Sequence, residues 1–146
     1  MTDTLTKPVN QMTKADWRRV LSPAQFHIAF EEGTERAFTG PWWDEKRRGV
    51  YTCVACGETL WDSAAKFDSG TGWPSFYAPA GPSKVATKTD WKLLYPRTEV
   101  HCANCGAHMG HVFNDGPEPT GLRYCINGTV LNFRPAEDTG LGPDAS

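Results

Sequence analysis

Two cysteine pairs with the same spacing constrain this 146-residue chain more than any other feature of its sequence. CVACG occupies residues 53–57 and CANCG occupies residues 102–106, so a glycine that permits a tight turn follows each pair. A C-x-x-C pair can place two thiolates on one side of a tetrahedral ion, and two pairs complete a structural zinc site. Such a site would join two distant segments. The predicted ligands are Cys53, Cys56, Cys102 and Cys105.

Other uses of paired cysteines fit this chain less well. Redox C-x-x-C motifs occur in a strand–helix–strand context, which the flanking sequence lacks. A zinc-ribbon module that binds nucleic acid would carry a basic surface, whereas the formal net charge is −2. A zinc hydrolase needs an open coordination position, and four sulfurs leave none. His101 adjoins Cys102 and is interpreted as a surface residue of a strand.

One or two short helices are predicted near the N-terminus. Thr13 and Asp16 have the spacing of a capping box, which favours a helix over about 14–20. In SPAQFHIAFEEG, Ser22 can cap a helix and Gln25 has the spacing of its capping box. Pro23 suits the first helical position and Gly33 can end the helix. Phe26, Ala29 and Phe30 fall on one face of this second helix and are predicted to pack on the core.

After Gly33 the sequence predicts β-structure. Short apolar runs separated by glycine and proline are typical of strands, and Asn127-Gly128 between two of them favours a tight hairpin. The predicted strands are RGVYTCV, SKVATKTD, TEVHCAN, LRYCIN and TVLNFRP. We therefore expect one mainly β domain over 14–135, with a flexible tail at 1–13 and a loose C-terminal tail at 136–146.

The fifth cysteine, Cys125, is a candidate nucleophile. It lies in RYCING, where strand alternation puts Arg123, Cys125 and Asn127 on one face. A neighbouring arginine stabilises a thiolate and lowers its pKa. The alternative is a buried, inert cysteine, which is the more common fate of an unpaired one.

Two further segments contain candidate site residues. GAHMGHVFNDG contains His108, His111 and Asp115, and histidines near a thiolate can transfer protons at neutral pH. KFDSGTGWPSF contains Trp73 on a glycine-rich loop, where an indole can line an apolar slot. Ordinary surface histidines and a core tryptophan are the alternatives, because spacing alone does not bring these residues to Cys125.

Together these segments resemble the B-type methionine sulfoxide reductases, which act on the R epimer of methionine sulfoxide. The resemblance covers about residues 14–135 and includes GTERAFTGPWWDEKRRGVYTCVACG, KFDSGTGWPSF, CANCGAHMGHVFNDGP and RYCINGTVLNF. It implies a fold of two antiparallel sheets, with the four-cysteine zinc site away from the active cleft.

The resemblance also implies roles for individual residues. Cys125 would attack the sulfoxide sulfur, release methionine and become a sulfenic acid. Trp73 and Phe133 would form the pocket for the substrate methyl group. Three residues would bind and protonate the sulfoxide oxygen, and two would give electrostatic support. The first set is His108, His111 and Asn127, and the second is Arg123 and Asp115.

The chain departs from many family members at Thr71. These members carry a resolving cysteine there, in the loop before GWPSF. With the other four cysteines assigned to zinc, we expect an external thiol, such as thioredoxin or a small thiol, to reduce the Cys125 sulfenic acid directly.

The expected partners and location follow from the same features. The substrate would be oxidised methionine in proteins or peptides, with no nucleic acid and no membrane involved. The N-terminal segment has no apolar signal region, and no run of about 18 apolar residues occurs, so a cytoplasmic location is expected. The protein is also expected to be a monomer. The alternative function is a zinc-dependent module that binds a ligand or peptide and has an inert Cys125.

Overall fold

The computed structural model describes residues 8–91 and 96–136. Most of the two predicted tails, at 1–7 and 137–146, therefore lies outside the described residues. Between Pro8 and the first α-helix, Val9–Gln11 form a 3-10 turn, and Val9 and Met12 pack against the core. No helix in the described part of the chain is long and apolar enough to cross a membrane.

Both predicted helices are present: α1 is Lys14–Val20 and α2 is Pro23–Glu31. Each begins with the predicted capping box, in which the N-cap hydroxyl accepts a backbone hydrogen bond and the side chain three residues on returns one. The end of α2 differs from the prediction, because Glu32 takes the left-handed conformation (φ 57°) instead of Gly33. A Cβ on Gly33 would overlap the exposed His27 ring, which would have to move aside.

The described residues form nine strands. The five predicted strands are confirmed as β1, β5, β6, β8 and β9, with ends shifted by a residue or two. The strands are β1 (Gly49–Cys53), β2 (Thr59–Asp62), β3 (Lys66–Phe67), β4 (Ser75–Phe76), β5 (Val85–Asp90), β6 (Arg97–Cys102), β7 (His108–Phe113), β8 (Arg123–Ile126) and β9 (Leu131–Pro135).

The strands form the two antiparallel sheets that the resemblance implied. The smaller sheet has the order β2-β1-β9, and the larger has the order β3-β4-β8-β7-β6-β5. Strand β8, which carries Cys125, pairs with β4 on one side and β7 on the other. The candidate nucleophile therefore lies on an interior strand.

The predicted hairpin at Asn127-Gly128 is wrong. Strand β8 belongs to the larger sheet and β9 to the smaller, so the chain changes sheets here through a 3-10 turn at Gly128–Val130. Asn127 has φ −75°, not the positive value that a tight hairpin needs. A Cβ on Gly128 would overlap the Pro41 carbonyl oxygen, so this glycine permits a close approach of two backbones.

The core lies between the two sheets. Tyr51 and Trp61 from the smaller sheet are fully buried against Phe76 from the larger one. Trp61 stacks on Phe76 with the ring centroids 4.9 Å apart. Helix α2 covers β7 and the 3-10 turn after β8, with Phe26 and Ala29 buried as predicted and Phe30 partly buried. This packing fixes the strands that carry the candidate site.

Candidate active site and metal site

A cavity of about 300 Å³ opens beside Cys125. Its lining mixes aromatic rings with histidine, arginine and amide groups, and most of these residues lie on β7, β8 or the loop before β4. The lining residues are Thr34, Thr71, Trp73, Arg97, Gly110, His111, Phe113, Arg123, Cys125 and Asn127. The cavity thus brings Cys125 together with residues from all three segments singled out in the sequence.

The strand register explains why His111 and Cys125 are neighbours. His111 on β7 is directly opposite Cys125 on β8, and side chains of opposed residues lie on the same face. Arg123 and Asn127 also line the cavity, so the predicted alternation along RYCIN is confirmed. Gly110 allows this close pairing, because a Cβ there would overlap the Cys125 carbonyl oxygen.

The electrostatics of Cys125 differ from the prediction. Burial raises the pKa of its thiol, and this effect outweighs the lowering by the Thr71 hydroxyl and by Arg123. The Thr71 Oγ1 lies 3.8 Å from the Cys125 Sγ. The predicted effect of Arg123 is therefore present but smaller than the cost of removing a thiolate from water.

This balance predicts the pH dependence of Cys125 reactivity in the free protein. Only the thiolate reacts with iodoacetamide, and a raised pKa keeps it a minor species at neutral pH. Alkylation should therefore accelerate about tenfold per pH unit from roughly pH 6 to pH 9, without a plateau. Peptide mass spectrometry would follow the modification at Cys125 alone. A plateau below pH 8 would contradict the raised pKa, and Arg123→Met should slow the reaction further at each pH.

His111 forms a hydrogen bond with the carboxylate of Asp90, a residue that does not line the cavity. Its Nε2 lies 2.9 Å from the Asp90 Oδ2, which also accepts a hydrogen bond from Arg97 at 3.1 Å. Burial lowers the pKa of His111, although the Asp90 hydrogen bond opposes that effect. Because a carboxylate only accepts hydrogen bonds, Nε2 carries a hydrogen, and Nδ1 is the ring atom left for proton exchange.

His108 is close to His111 but belongs to different surroundings. Their ring centroids are 5.6 Å apart, and the His108 Nδ1 bonds the buried Glu99 carboxylate at 2.7 Å. His108 lines a second cavity of about 270 Å³ that also contacts Lys88 and Glu99. Among the described residues, His108 is not part of the lining beside Cys125. Any effect of His108 on the sulfoxide oxygen would therefore have to be indirect, through His111.

The apolar wall of the cavity differs from the prediction in one member. Trp73 lines the cavity, and its Nε1 donates to the Glu35 carbonyl oxygen at 3.0 Å. Phe133, by contrast, lies in the smaller sheet against Tyr51 and outside the described lining. Phe113 forms part of the wall instead. It lies two residues after His111 on β7, so strand alternation could have identified it.

The Asn127 amide has a defined orientation. Its Oδ1 accepts from the Glu35 backbone N–H at 2.9 Å, and its Nδ2 donates to the Met109 carbonyl oxygen at 3.0 Å. A donor on one side and an acceptor on the other exclude the flipped amide. An amide nitrogen carries two hydrogens, so Nδ2 retains one that is not used by Met109.

Arg123 and Asp115 form a two-point ion pair at the edge of the site. The Arg123 Nε and Nη2 donate to the two Asp115 oxygens at 2.9 and 3.1 Å. This hydrogen bond lowers the pKa of Asp115, and the guanidinium also lies over the Phe113 ring, 4.5 Å from its centroid. Asp115 thus orients the arginine that faces Cys125.

Three further residues that line the cavity were not predicted from the sequence. No local sequence pattern indicated a role in the site for Thr34, Arg97 or Gly110.

The four remaining cysteines form a cluster that can hold a metal ion, as predicted. Their sulfurs lie within 4.8 Å of one another, and Cys53–Cys105 and Cys56–Cys102 are each separated by 3.6 Å. A tetrahedral ion with metal–sulfur bonds of about 2.3 Å needs sulfurs about 3.8 Å apart, so the cluster fits. Gly57 and Gly106 have φ near +83° and +82°, which confirms the predicted turns.

Comparison with known proteins agrees with this arrangement. The SelR domain family matches residues 21–135. The chain is 53% identical over 131 residues to a peptide methionine sulfoxide reductase MsrB from Agrobacterium fabrum, covering 90% of this chain and 97% of that protein.

Two further relatives extend the comparison. The MsrB of Thiobacillus denitrificans is 55% identical over 125 residues, covering 86% of this chain and 95% of the relative. The chloroplastic reductase B1 of Arabidopsis thaliana is 52% identical over 129 residues, covering 88% of this chain and 63% of the relative. With its fold, its four-cysteine cluster and these matches, the chain belongs to the SelR-domain family of peptide methionine sulfoxide reductases MsrB.

Proposed function

We propose that this protein reduces the R epimer of methionine sulfoxide in proteins and peptides, with Cys125 as the nucleophile. The observation that carries the proposal is the cavity in which Cys125 lies beside His111, Asn127 and Trp73. A thiol, proton-donating groups and an apolar wall are the three components that this reaction needs. The names of the relatives support the same reaction class.

The proposed step transfers one oxygen atom between two sulfurs. The Cys125 thiolate attacks the sulfoxide sulfur and forms an S–S bond, and the sulfoxide oxygen gains a proton. The resulting hydroxyl then passes to the Cys125 Sγ, which breaks both the S–O bond and the new S–S bond. The substrate sulfur gains two electrons and leaves as a thioether, while the cysteine sulfur loses two and becomes a sulfenic acid. Asn127 is proposed to bind the oxygen through its second Nδ2 hydrogen. His111, oriented by Asp90, is proposed to protonate it as the imidazolium, because Nδ1 of the neutral ring carries no hydrogen.

Selectivity between epimers would come from the opposed surfaces of the cavity. Trp73 and Phe113 offer an apolar wall for the S-methyl group, and His111 and Asn127 offer a polar one for oxygen. An S epimer attacked from the same direction would exchange these two groups. It would then leave polar groups without partners, which costs a large part of the binding energy.

Resolved epimers of methionine sulfoxide in a short peptide test this function. The zinc-loaded, reduced protein with dithiothreitol should convert the R epimer to methionine, and should convert the S epimer at least about 100-fold more slowly. Chromatography of the peptide products would measure both rates. Turnover of neither epimer by a folded sample would reject the reductase function and favour a binding module with an inert Cys125.

We further propose that an external thiol regenerates Cys125 directly. Thr71 Oγ1 is 3.8 Å from the Cys125 Sγ, so this contact is made by a hydroxyl that cannot form a disulfide. The other four thiols are gathered in the metal cluster. Thioredoxin or a small thiol is the proposed reductant.

Trapping the oxidised protein tests this recycling route. One equivalent of substrate without reductant should leave a sulfenic acid that dimedone labels at Cys125 and no intramolecular disulfide. Thr71→Cys is the matched positive control, because it places a thiol at the 3.8 Å contact and should give a disulfide between the introduced thiol and Cys125 instead of the dimedone adduct. A disulfide between Cys125 and a metal-site cysteine in the unmodified protein would overturn the proposal.

Zinc is the proposed ion of the four-cysteine site, because four thiolates in a closed tetrahedral shell suit structural zinc. When bound, the ion supplies a cross-link and no open position for substrate. All five cysteines are free of disulfides, which fits the proposed reducing cytoplasm. We propose that the protein acts there as a monomer.

A further inference from the structure

We propose that Glu35 is a positioning residue that holds Asn127 and Trp73 in their reactive arrangement around Cys125. Glu35 lies between α2 and β1, next to the cavity-lining Thr34. This inference rests on the proposed function, because it assigns Glu35 a role in the same reductase site. It concerns a buried residue that itself lies outside the cavity lining.

The backbone of Glu35 contacts both sides of the site. Its N–H donates to the Asn127 Oδ1 at 2.9 Å, and its carbonyl oxygen accepts from the Trp73 Nε1 at 3.0 Å. The first bond sets which way the Asn127 amide points and therefore aims its remaining N–H. The second fixes the indole that forms the apolar wall. One residue thus connects the polar and the apolar surfaces of the cavity.

The side chain of Glu35 is the anchor that keeps this backbone in place. Its Oε1 accepts from the Thr129 backbone N–H at 2.7 Å, two residues beyond Asn127. Gly40 leaves room for the carboxyl group, because a Cβ there would overlap it. The residue as a whole is 8% exposed. The hydrogen bond to Thr129 therefore connects the loop that carries Thr34 and Glu35 to the 3-10 turn after β8, the strand of Cys125.

Burying the Glu35 carboxyl group costs free energy of folding, so packing alone does not explain why a carboxyl group lies here. Its Oε2 is buried without a hydrogen-bond partner among the described residues. A negative charge here also works against the Cys125 thiolate, since Glu35 raises the pKa of that thiol. A residue kept only for stability could be apolar at this position. Anchoring Asn127 and Trp73 through one acceptor gives the carboxyl group a function that offsets this cost.

Kinetics of Glu35 variants test the proposal in the zinc-loaded protein with the R-sulfoxide peptide and dithiothreitol. Glu35→Ala should lower kcat/KM about 100-fold, because small displacements of positioned groups cost about that much. Glu35→Gln keeps an oxygen for the Thr129 N–H and should stay within about threefold of wild type. A glutamine variant as impaired as the alanine variant would overturn the proposal, because the retained acceptor oxygen would then not be what keeps the site in place.

The route through Asn127 is tested by a double-mutant cycle. Asn127→Ala removes the amide that Glu35 orients, so adding Glu35→Ala should cost less than about tenfold more in kcat/KM. Full additivity of the two losses, with Trp73 still present, would show that Glu35 does not act through Asn127. The matched control is Asp16→Ala, which removes another buried carboxyl group that accepts from a backbone N–H, that of Thr13, and should leave kcat/KM unchanged.

Two further comparisons keep the outcome decisive. If Glu35→Ala does not fold, Glu35→Asp replaces it: its carboxyl is one methylene short of Thr129 and should lose at least about fivefold in kcat/KM. An aspartate variant equal to wild type would overturn the anchor. Wild-type protein without activity rejects the proposed function itself, whereas active wild type with an equally active Glu35→Ala rejects only the role of Glu35.

Discussion

Cys125→Ser is expected to abolish reduction of the R-sulfoxide peptide, with a loss in kcat of at least about 10⁴-fold. A serine hydroxyl is not ionised near neutral pH, and oxygen cannot accept the transferred oxygen atom as sulfur does in a sulfenic acid. The substitution is nearly isosteric in a half-buried position, so folding and metal content should be unchanged. Methionine formation under excess dithiothreitol would measure the loss.

The control for this experiment is Thr71→Ser. It preserves the hydroxyl that lies 3.8 Å from the Cys125 Sγ, and should retain activity within about tenfold of wild type. Residual activity well above about 0.01 per cent in Cys125→Ser, in a sample free of wild-type protein, would mean that another group attacks the sulfoxide.

Removing the metal is expected to unfold the protein. Zinc bound by four thiolates contributes about 10 kcal/mol or more, which is comparable to the whole free energy of unfolding of a small domain, about 5–15 kcal/mol. Cys53 and Cys102 are the last residues of β1 and β6, which belong to different sheets, and Cys56 and Cys105 lie on the turns that follow. Circular dichroism of chelator-treated, reduced protein should show loss of the β spectrum at 25 °C, with recovery when zinc is restored.

A pair of cysteine variants separates this effect from the loss of any thiol. Cys102→Ala removes a fully buried thiol of the four-cysteine cluster and should not fold stably, whereas Cys125→Ala should melt within about 5 °C of wild type. Purified wild type that contains no metal and melts normally after chelator treatment would contradict a structural metal site.

Local sequence signals predicted the parts of the fold that short-range contacts decide. The capping boxes at Thr13 and Ser22 each involve residues three apart, and both helices begin where they predict. The knuckle turns at Gly57 and Gly106 are equally local. The prediction of a hairpin at Asn127-Gly128 was wrong because long-range contacts decide which strand pairs with β9. Leu131 of β9 pairs with Cys53 of β1, in the smaller sheet.

In the candidate site too, the sequence predicted what local contacts decide and missed what long-range contacts decide. Arg123 and Cys125 share a face because strand alternation is local, and His111 joins them through the β7–β8 register. Phe133 was predicted through the resemblance, and its sheet assignment takes it away from the cavity. Glu35 had no signal of its own, because its contacts with Asn127 and Thr129 span more than ninety residues of chain.

The interior position of β8 has a consequence for how the enzyme would turn over. Because β4 and β7 bond both edges of β8, the backbone at Cys125 cannot swing toward a second sulfur. A resolving cysteine would therefore have to lie on a neighbouring segment, and the position in contact with the Cys125 Sγ, 3.8 Å away, is occupied by the Thr71 hydroxyl. With no thiol at that contact, the second half-reaction of the proposed cycle becomes a collision with a thiol from solution. Turnover at saturating substrate would then rise in proportion to reductant concentration, so the supply of thiols in the cell would set the rate of repair.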